Sequence, residues 1–295
     1  MTASMFQPGP IGVFDSGFGG LTVLRALGAA LPAHDFVYLG DTGRAPYGGR
    51  DTEVILDLSE QCVERLFDEG CRLVVVACHT VSSVALRHLQ RRYAGEASAN
   101  SPRRVLGVTI PAAEAAVQRS RKIGFIGTAR SVASGTFAIE AEKLGANEVS
   151  LRAAPLLAAI VEQGWEDTEI ARLAVARYVA DWPHIDTLVL GCTHYPLLVR
   201  AFEAALPNGV AILDPAPFVA ERLREWLLRH PGFAVPRADG RGGLRVLSSG
   251  DPSAFAEHGA RFLGAALPVI EHVAEERSRL VPRARPSAPV GQVVR

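Results

Sequence analysis

Short apolar segments alternate with longer stretches of helical periodicity along this 295-residue sequence, and that alternation constrains the fold most. Segments such as 72–78 (RLVVVAC) and 186–192 (DTLVLGC) are apolar at nearly every position rather than at every second one. The stretch 51–70 carries apolar residues three to four positions apart and ends at a glycine, as amphipathic helices do. The pattern predicts an α/β protein whose parallel sheets are covered by helices on both faces.

Two parts of the chain resemble each other. Ile11 and Cys78 are 67 positions apart, and Ile123 and Cys192 are 69 apart; each part starts with Ile-Gly and ends with an apolar run, a Cys and a nearby Thr. Coincidence is the alternative, since Ile-Gly followed by apolar residues is common in α/β proteins. We interpret the similarity as a duplication, which predicts two similar three-layer α/β domains, each with one cysteine at the carboxyl end of a strand. Ligands bind at that end of an open α/β sheet.

We place the first domain at 1–107 plus 214–275 and the second at 108–213, with the active site in the cleft between them. The segment 276–295 is rich in Pro, Arg and Ser, and we expect it to be a flexible tail.

Composition argues against several classes of protein. The 31 basic and 31 acidic residues cancel, so no basic surface for nucleic acid or an anionic membrane is indicated. No apolar stretch reaches the roughly 18 residues of a membrane helix, and the N-terminal MTASMFQPGP does not resemble a signal peptide. The four cysteines are irregularly spaced, unlike a disulfide framework. We therefore expect a cytoplasmic protein with a small-molecule partner, no nucleic acid and no membrane.

Cys78 and Cys192 each end an apolar run and are followed by Thr and His, in CHT and CTH. One interpretation is that both are small buried hydrophobes, which we keep for Cys62 and Cys71. A second is a zinc site with His79 and His194, although adjacent Cys78 and His79 chelate one ion awkwardly. A third is a pair of thiol acid/base groups that face each other across a domain interface. Two opposed thiols can remove a proton from one face of a carbon and return one to the other.

Two glycine-rich segments also follow predicted strands. In 14–22 (FDSGFGGLT), Asp15 and Ser16 stand at a strand end, where Asp15 is either a functional carboxylate or a cap or turn former. The segment 38–50 (YLGDTGRAPYGGR) is either a ligand-binding loop or a surface turn, and it carries Asp41, Arg44, Tyr47 and Arg50.

The lysines argue against cofactor chemistry. Lys122 and Lys143 lie in a strand and a helix pattern, so no lysine stands where a pyridoxal phosphate enzyme would need one. GFGGLT lacks the glycine spacing of a dinucleotide fingerprint. We expect a reaction without cofactor or metal.

Taken in order, these segments resemble glutamate racemase, within the aspartate/glutamate racemase superfamily. The resemblance spans roughly residues 10–265, and the segments that carry it are 12–25 (GVFDSGFGGLTVLR), 38–50, 75–80 (VVACHT), 126–137 (IGTARSVASGTF), 190–198 (LGCTHYPLL) and 248–255 (SSGDPSAF). It implies an isomerase that interconverts L- and D-glutamate without cofactor by a two-base mechanism. It also implies a supply of D-glutamate for peptidoglycan synthesis, and hence for cell wall biogenesis and cell shape, and a homodimer whose interface the sequence does not identify.

The resemblance also assigns residues. It implies that Cys78 and Cys192 are the two catalytic bases, one for each enantiomer, and that Asp15 and His194 assist their proton transfers. It implies a substrate pocket formed by Asp15, Ser16, Tyr47, Gly48, His79, Thr80, Thr193 and His194.

His79 departs from the family, which normally has Asn between the cysteine and the threonine. Imidazole differs in shape from an amide and titrates near neutral pH, so the rate, the substrate preference and the pH profile are in question. His79 keeps a pocket role, swings away or interacts with Cys78. The departure keeps two alternatives open, namely a related racemase for aspartate or another acidic amino acid, and a racemase-fold binding protein with reduced activity.

Overall fold

The computed structural model describes residues 7–96 and 102–274, which form two parallel sheets with helices packed against them. The first sheet has six strands in the order β10-β9-β2-β1-β3-β4. Its strands are β1 Ile11–Asp15, β2 Phe36–Gly40, β3 Leu73–Val76, β4 Arg104–Gly107, β9 Leu244–Ser248 and β10 Ile270–His272. The expected flexible tail at 276–295 lies outside the described residues.

The second sheet has four strands in the order β6-β5-β7-β8. Its strands are β5 Lys122–Gly127, β6 Glu148–Ala153, β7 Thr187–Gly191 and β8 Ala211–Leu213. The order β2-β1-β3-β4 of the first sheet therefore recurs as β6-β5-β7-β8, with all pairs parallel. The two parts that resemble each other in sequence build sheets of the same topology, as predicted. The boundaries that we place at 107/108 and 213/214 stay a prediction.

Helices connect the strands and bury their apolar faces against the sheets. They are α1 Leu21–Ala30, α2 Thr52–Asp68, α3 His79–Val84, α4 Leu86–Glu96, α5 Thr109–Arg119, α6 Ala129–Ser134, α7 Thr136–Lys143, α8 Pro155–Glu162, α9 Glu169–Val179, α10 Val199–Ala205, α11 Ala216–Arg229 and α12 Pro252–Leu263. Short 3-10 turns at Thr42–Arg44 and Tyr195–Leu198 follow β2 and β7.

The strands of the first sheet are apolar throughout because both of their faces are buried. Val13 and Val75 pack into one hydrophobic cluster, while their chain neighbours Phe14 and Val76 pack into another on the opposite face. Burying each such side chain stabilises the fold by about 1.5–3 kcal/mol. The carboxyl ends of these strands are thereby fixed in place.

Two strands, β6 and β10, were not predicted from the sequence. Both lie at a sheet edge, and β6 (EVSLRA) is only partly buried, so it lacks the continuous apolar run that marks the central strands. Edge strands depend on pairing with a neighbour, which the local sequence does not display. Within the described ranges, no helix is long and apolar enough to cross a membrane.

Candidate active site

A cavity of about 290 Å³ lies where the carboxyl ends of the two sheets meet. Cys78 follows β3 and Cys192 follows β7, so each sheet delivers one thiol to it. The predicted site residues that line the cavity are Ser16, Tyr47, Gly48, Cys78, His79, Thr80, Cys192, Thr193 and His194. Strand topology thus gathers residues that lie far apart in the sequence.

A hydroxyl and a carboxylate lie near Cys78. Its side chain is buried, and its Sγ lies 3.5 Å from the Ser16 Oγ. Burial, followed by the nearby Asp15 carboxylate, raises the pKa of the Cys78 thiol to about 12. Cys78 therefore rests as a thiol at neutral pH.

Asp15 lies behind the cavity wall rather than on it. Its carboxylate accepts hydrogen bonds from the backbone N–H of Gly17 at 2.9 Å and from that of Gly20, so it does form the turn that leads into α1. The Thr193 hydroxyl approaches the same carboxylate at 3.4 Å. Burial raises the pKa of Asp15, against an opposing effect of His194. Its contact with a substrate stays a prediction, since its neighbours Ser16 and Gly17 line the cavity and Asp15 does not.

Cys192 has an imidazole beside it. Its Sγ lies 3.7 Å from Nδ1 of His194, and Nε2 of the same ring lies 3.0 Å from the Glu162 carboxylate at the end of α8. Burial by itself would lower the pKa of His194, but the hydrogen bonds with Cys192 and Glu162 raise it to about 10. His194 is therefore an imidazolium at neutral pH, and it stabilises negative charge on the sulfur.

Gly19, in the turn after β1, lies against Thr193 and His194, which follow β7 of the other sheet. A Cβ on Gly19 would lie 2.1 Å from the Thr193 Oγ1 and 2.6 Å from Nδ1 of His194. Only glycine allows the turn after β1 to approach the segment after β7 so closely.

His79 keeps a place in the cavity wall. It is only 4% exposed, its ring lies edge-on to Phe125 with centroids 6.4 Å apart, and its Nδ1 is buried without a hydrogen-bond partner among the described residues. Burial lowers the pKa of His79 to about 4. The expectation that this imidazole titrates near neutral pH is therefore wrong, because its surroundings disfavour the charged form.

Hydroxyl groups from both sheets meet beside Cys78. The Thr80 Oγ1 lies 2.9 Å from the Thr128 Oγ1, which in turn lies 2.9 Å from the Ser131 Oγ. The Tyr47 hydroxyl instead donates to the Asp41 carboxylate, which does not line the cavity. Thr80 and Thr128 therefore supply polar groups to the cavity, whereas Tyr47 contributes its position in the wall.

Among the cavity residues that were not predicted from the sequence, Glu162 and Thr128 are the two with polar side chains. Thr128 directly follows β5, within the segment IGTARSV, so a search of every strand end for hydroxyl groups would find it. Glu162 ends an apolar helix, and no local pattern separates it from any surface glutamate. Among residues 7–96 and 102–274, no three His, Cys, Asp or Glu side chains are arranged as metal ligands.

Sequence comparisons agree on one group of proteins. A family model described as Asp/Glu/Hydantoin racemase matches residues 12–223. A glutamate racemase of Aquifex aeolicus is 42% identical over 220 residues, which cover 74% of this chain and 83% of the relative. One of Geobacter metallireducens is 38% identical over 274 residues, covering 91% and 98%.

Solved structures give the same result for the fold. Glutamate racemase from Thermus thermophilus in complex with beta-chloro-D-alanine superposes with a TM-score of 0.78 at 39% identity, covering 90% of this chain and 96% of that one. Glutamate racemase from Francisella tularensis in complex with D-glutamate superposes with a TM-score of 0.80 at 28% identity, covering 90% and 97%.

Proposed function

The chain belongs to the Asp/Glu/hydantoin racemase family, and on that premise we propose that it interconverts L- and D-glutamate by proton transfer at Cα. The observation that carries the proposal is that two thiols, one from each sheet, line one cavity in opposite electrostatic environments. A glutamate racemase that is 28% identical binds D-glutamate. The activity is that of an isomerase.

The chemical problem is the weak acidity of an amino-acid Cα–H. A site that removes this proton must stabilise a carbanion-like transition state with fixed dipoles and hold the substrate between its two bases. The hydroxyls of Ser16, Thr80 and Thr193 lie around the cavity as such dipoles. We assign them to the polar groups of the substrate.

Proton transfer then runs from one thiol to the other. The imidazolium of His194 stabilises a thiolate at Cys192, which takes the Cα proton of one enantiomer and leaves the electron pair on the carbon. The Cys78 thiol gives its proton to the opposite face. One C–H bond breaks and one forms, the configuration inverts, and no oxidant or reductant is consumed. The opposite enantiomer is converted by the same steps in reverse.

Two further residues assist these transfers. His194 is held in place by Glu162, so its proton stays beside Cys192. Asp15 assists at Cys78, because burial raises the pKa of its carboxyl toward the range in which it exchanges protons.

The test is isotope incorporation. Purified protein is incubated with L-glutamate in D₂O without added cofactor, and the Cα hydrogen and the optical rotation are followed. We expect deuterium at Cα together with loss of rotation. Exchange on L-aspartate but not on glutamate would indicate the related racemase instead. Absence of exchange on both would indicate a binding protein.

The cellular role follows from the reaction. D-Glutamate is proposed to be supplied for peptidoglycan synthesis, and hence for cell wall biogenesis. A cytoplasmic location suits the free thiols of Cys62, Cys71, Cys78 and Cys192, which a reducing compartment preserves. The homodimer stays a prediction.

A further inference from the structure

One wall of the cavity is a loop that belongs to no strand or helix. Ala45, Pro46, Tyr47, Gly48 and Gly49 line the cavity, and they lie between the 3-10 turn after β2 and the start of α2. Next to this loop lies the first turn of α6, which belongs to the other sheet and contributes Thr128 and Ala129 to the cavity. The relative position of this loop and this turn decides the shape of the cavity.

Arg50 fixes the loop from behind. Its Nε donates to the Pro46 carbonyl at 3.1 Å, and its Nη2 donates to the Arg44 carbonyl at 2.6 Å. One guanidinium thus ties the two ends of a tight segment together, in the fork geometry that arginine provides and lysine does not. The backbone carbonyl of Arg50 is not used in these bonds and can accept from a further donor.

Arg130, in the first turn of α6, takes that carbonyl. Its Nε donates to the Arg50 carbonyl at 2.7 Å, and its backbone N–H donates to the Gly48 carbonyl at 3.0 Å. Its Nη2 also lies 3.3 Å from the Asp51 carboxylate, but that carboxylate is 90% exposed, so the ion pair contributes little. The hydrogen bonds to backbone carbonyls are the contacts that join the two sheets here.

We propose that Arg130 and Arg50 together form a latch that holds the 45–49 loop against the first turn of α6, and that Arg130 is thereby a positioning residue for substrate binding. The latch touches neither thiol. It acts through the cavity wall, because the residues that it fixes, Pro46 and Gly48, face the cavity. The kinetic part of the proposal rests on the proposed racemisation.

The latch predicts an effect on binding rather than on proton transfer. Arg130→Gln removes the side-chain bond to the Arg50 carbonyl but keeps the backbone bond to the Gly48 carbonyl, so the loop is loosened. KM for both enantiomers should rise about tenfold while kcat stays within about threefold. Arg130→Lys keeps the charge but lacks the fork, so we expect the same direction of change. Arg130→Lys also tests the latch if Arg130→Gln fails to fold.

Arg87→Gln is the matched control. Arg87 of α4 also bridges the two sheets, through an ion pair with Glu140 of α7, yet neither residue lines the cavity. Its KM should stay within about twofold of the parent. An unchanged KM in the Arg130 variants, or an equal rise in Arg87→Gln, overturns the latch.

Hydrogen–deuterium exchange tests the latch without reference to activity. The amides of residues 44–51 should exchange about tenfold faster in the Arg130 variants and at the parental rate in Arg87→Gln. Parental exchange in all variants overturns the latch even if the protein is a racemase. If the parent does not racemise glutamate, the proposed function fails, and faster exchange in the Arg130 variants still supports the latch.

Discussion

The ends of β3 and β7 occupy equivalent places in two sheets of the same topology, yet they differ in electrostatic character. Each carries a cysteine with a histidine close behind, Cys78 with His79 and Cys192 with His194. Burial lowers the pKa of His79 to about 4, whereas the partners of His194 raise its pKa to about 10. At neutral pH one histidine is therefore neutral and the other is charged.

The difference comes from partners rather than from burial, since both rings are almost fully enclosed. His194 has the Cys192 sulfur on one nitrogen and the Glu162 carboxylate on the other. His79 has the edge of Phe125 and an Nδ1 that finds no hydrogen-bond partner in the part of the chain that the structure describes. A repeated topology therefore fixes where two thiols stand, while single neighbouring side chains decide whether the histidine beside each thiol is charged.

The largest expected effect comes from removing either sulfur. Cys78→Ser and Cys192→Ser should each lower racemisation by on the order of 10²- to 10⁴-fold, because a hydroxyl is a far weaker acid than a thiol. Steady-state rates in both directions measure the loss. Cys71→Ala, which removes a thiol remote from the cavity, should retain the parental rate. Parental rates in both serine variants would disprove the two-thiol assignment.

A smaller loss of activity is expected when the residues that assist the two thiols, His194 and Asp15, are replaced. His194→Asn and Asp15→Asn should each lower kcat by roughly 10- to 100-fold. Since the enantiomers have equal free energy, kcat/KM must fall equally in both directions. Steady-state rates therefore do not show which thiol each residue assists, and isotope effects are needed to show it. With substrate deuterated at Cα, His194→Asn should raise the primary isotope effect when Cys192 removes the deuteron. Asp15→Asn should raise it in the opposite direction.

The same direction of change in both variants would mean that Asp15 and His194 serve one thiol. His258→Asn provides a control, because His258 packs against Phe18 and does not line the cavity. Its isotope effects should match those of the parent in both directions.

The smallest effect concerns stability at acid pH. Because the pKa of His79 is lowered in the fold, the unfolded chain takes up its proton first as the pH falls from about 6.5 toward 4. Stability is therefore fully present above pH 6.5 and is lost across that window, by roughly 2 kcal/mol between pH 7 and pH 5. His79→Asn removes this loss.

Thermal unfolding at pH 7 and pH 5 measures the effect. The drop in Tm between these values should be smaller in His79→Asn than in the parent by about 5 °C. Equal drops would show that His79 is not held neutral. His184→Asn, which changes an exposed imidazole, should behave like the parent.

Much of this molecule was predictable because its central strands are buried on both faces. The apolar segments that end at Cys78 and Cys192 are stable only as central strands of a sheet. The positions of the two thiols at the strand ends were therefore predicted from the sequence. The strands β6 (EVSLRA) and β10 (IEH) were missed, since neither contains a continuous apolar run. Glu162 was missed because its role depends on a contact across 32 positions of chain, at the end of an ordinary helix. The low pKa of His79 depends on burial of its ring in the folded protein, which the sequence alone does not indicate.

Gly19 has a consequence for how the two strand ends can evolve. Its missing side chain leaves room for Thr193 and His194, which belong to the other half of the chain. Any larger residue at position 19 demands a smaller one at position 193 or a displaced imidazole. Substitutions in the turn after β1 are therefore constrained by the residues after β7. The two halves of the chain have to change together at this contact.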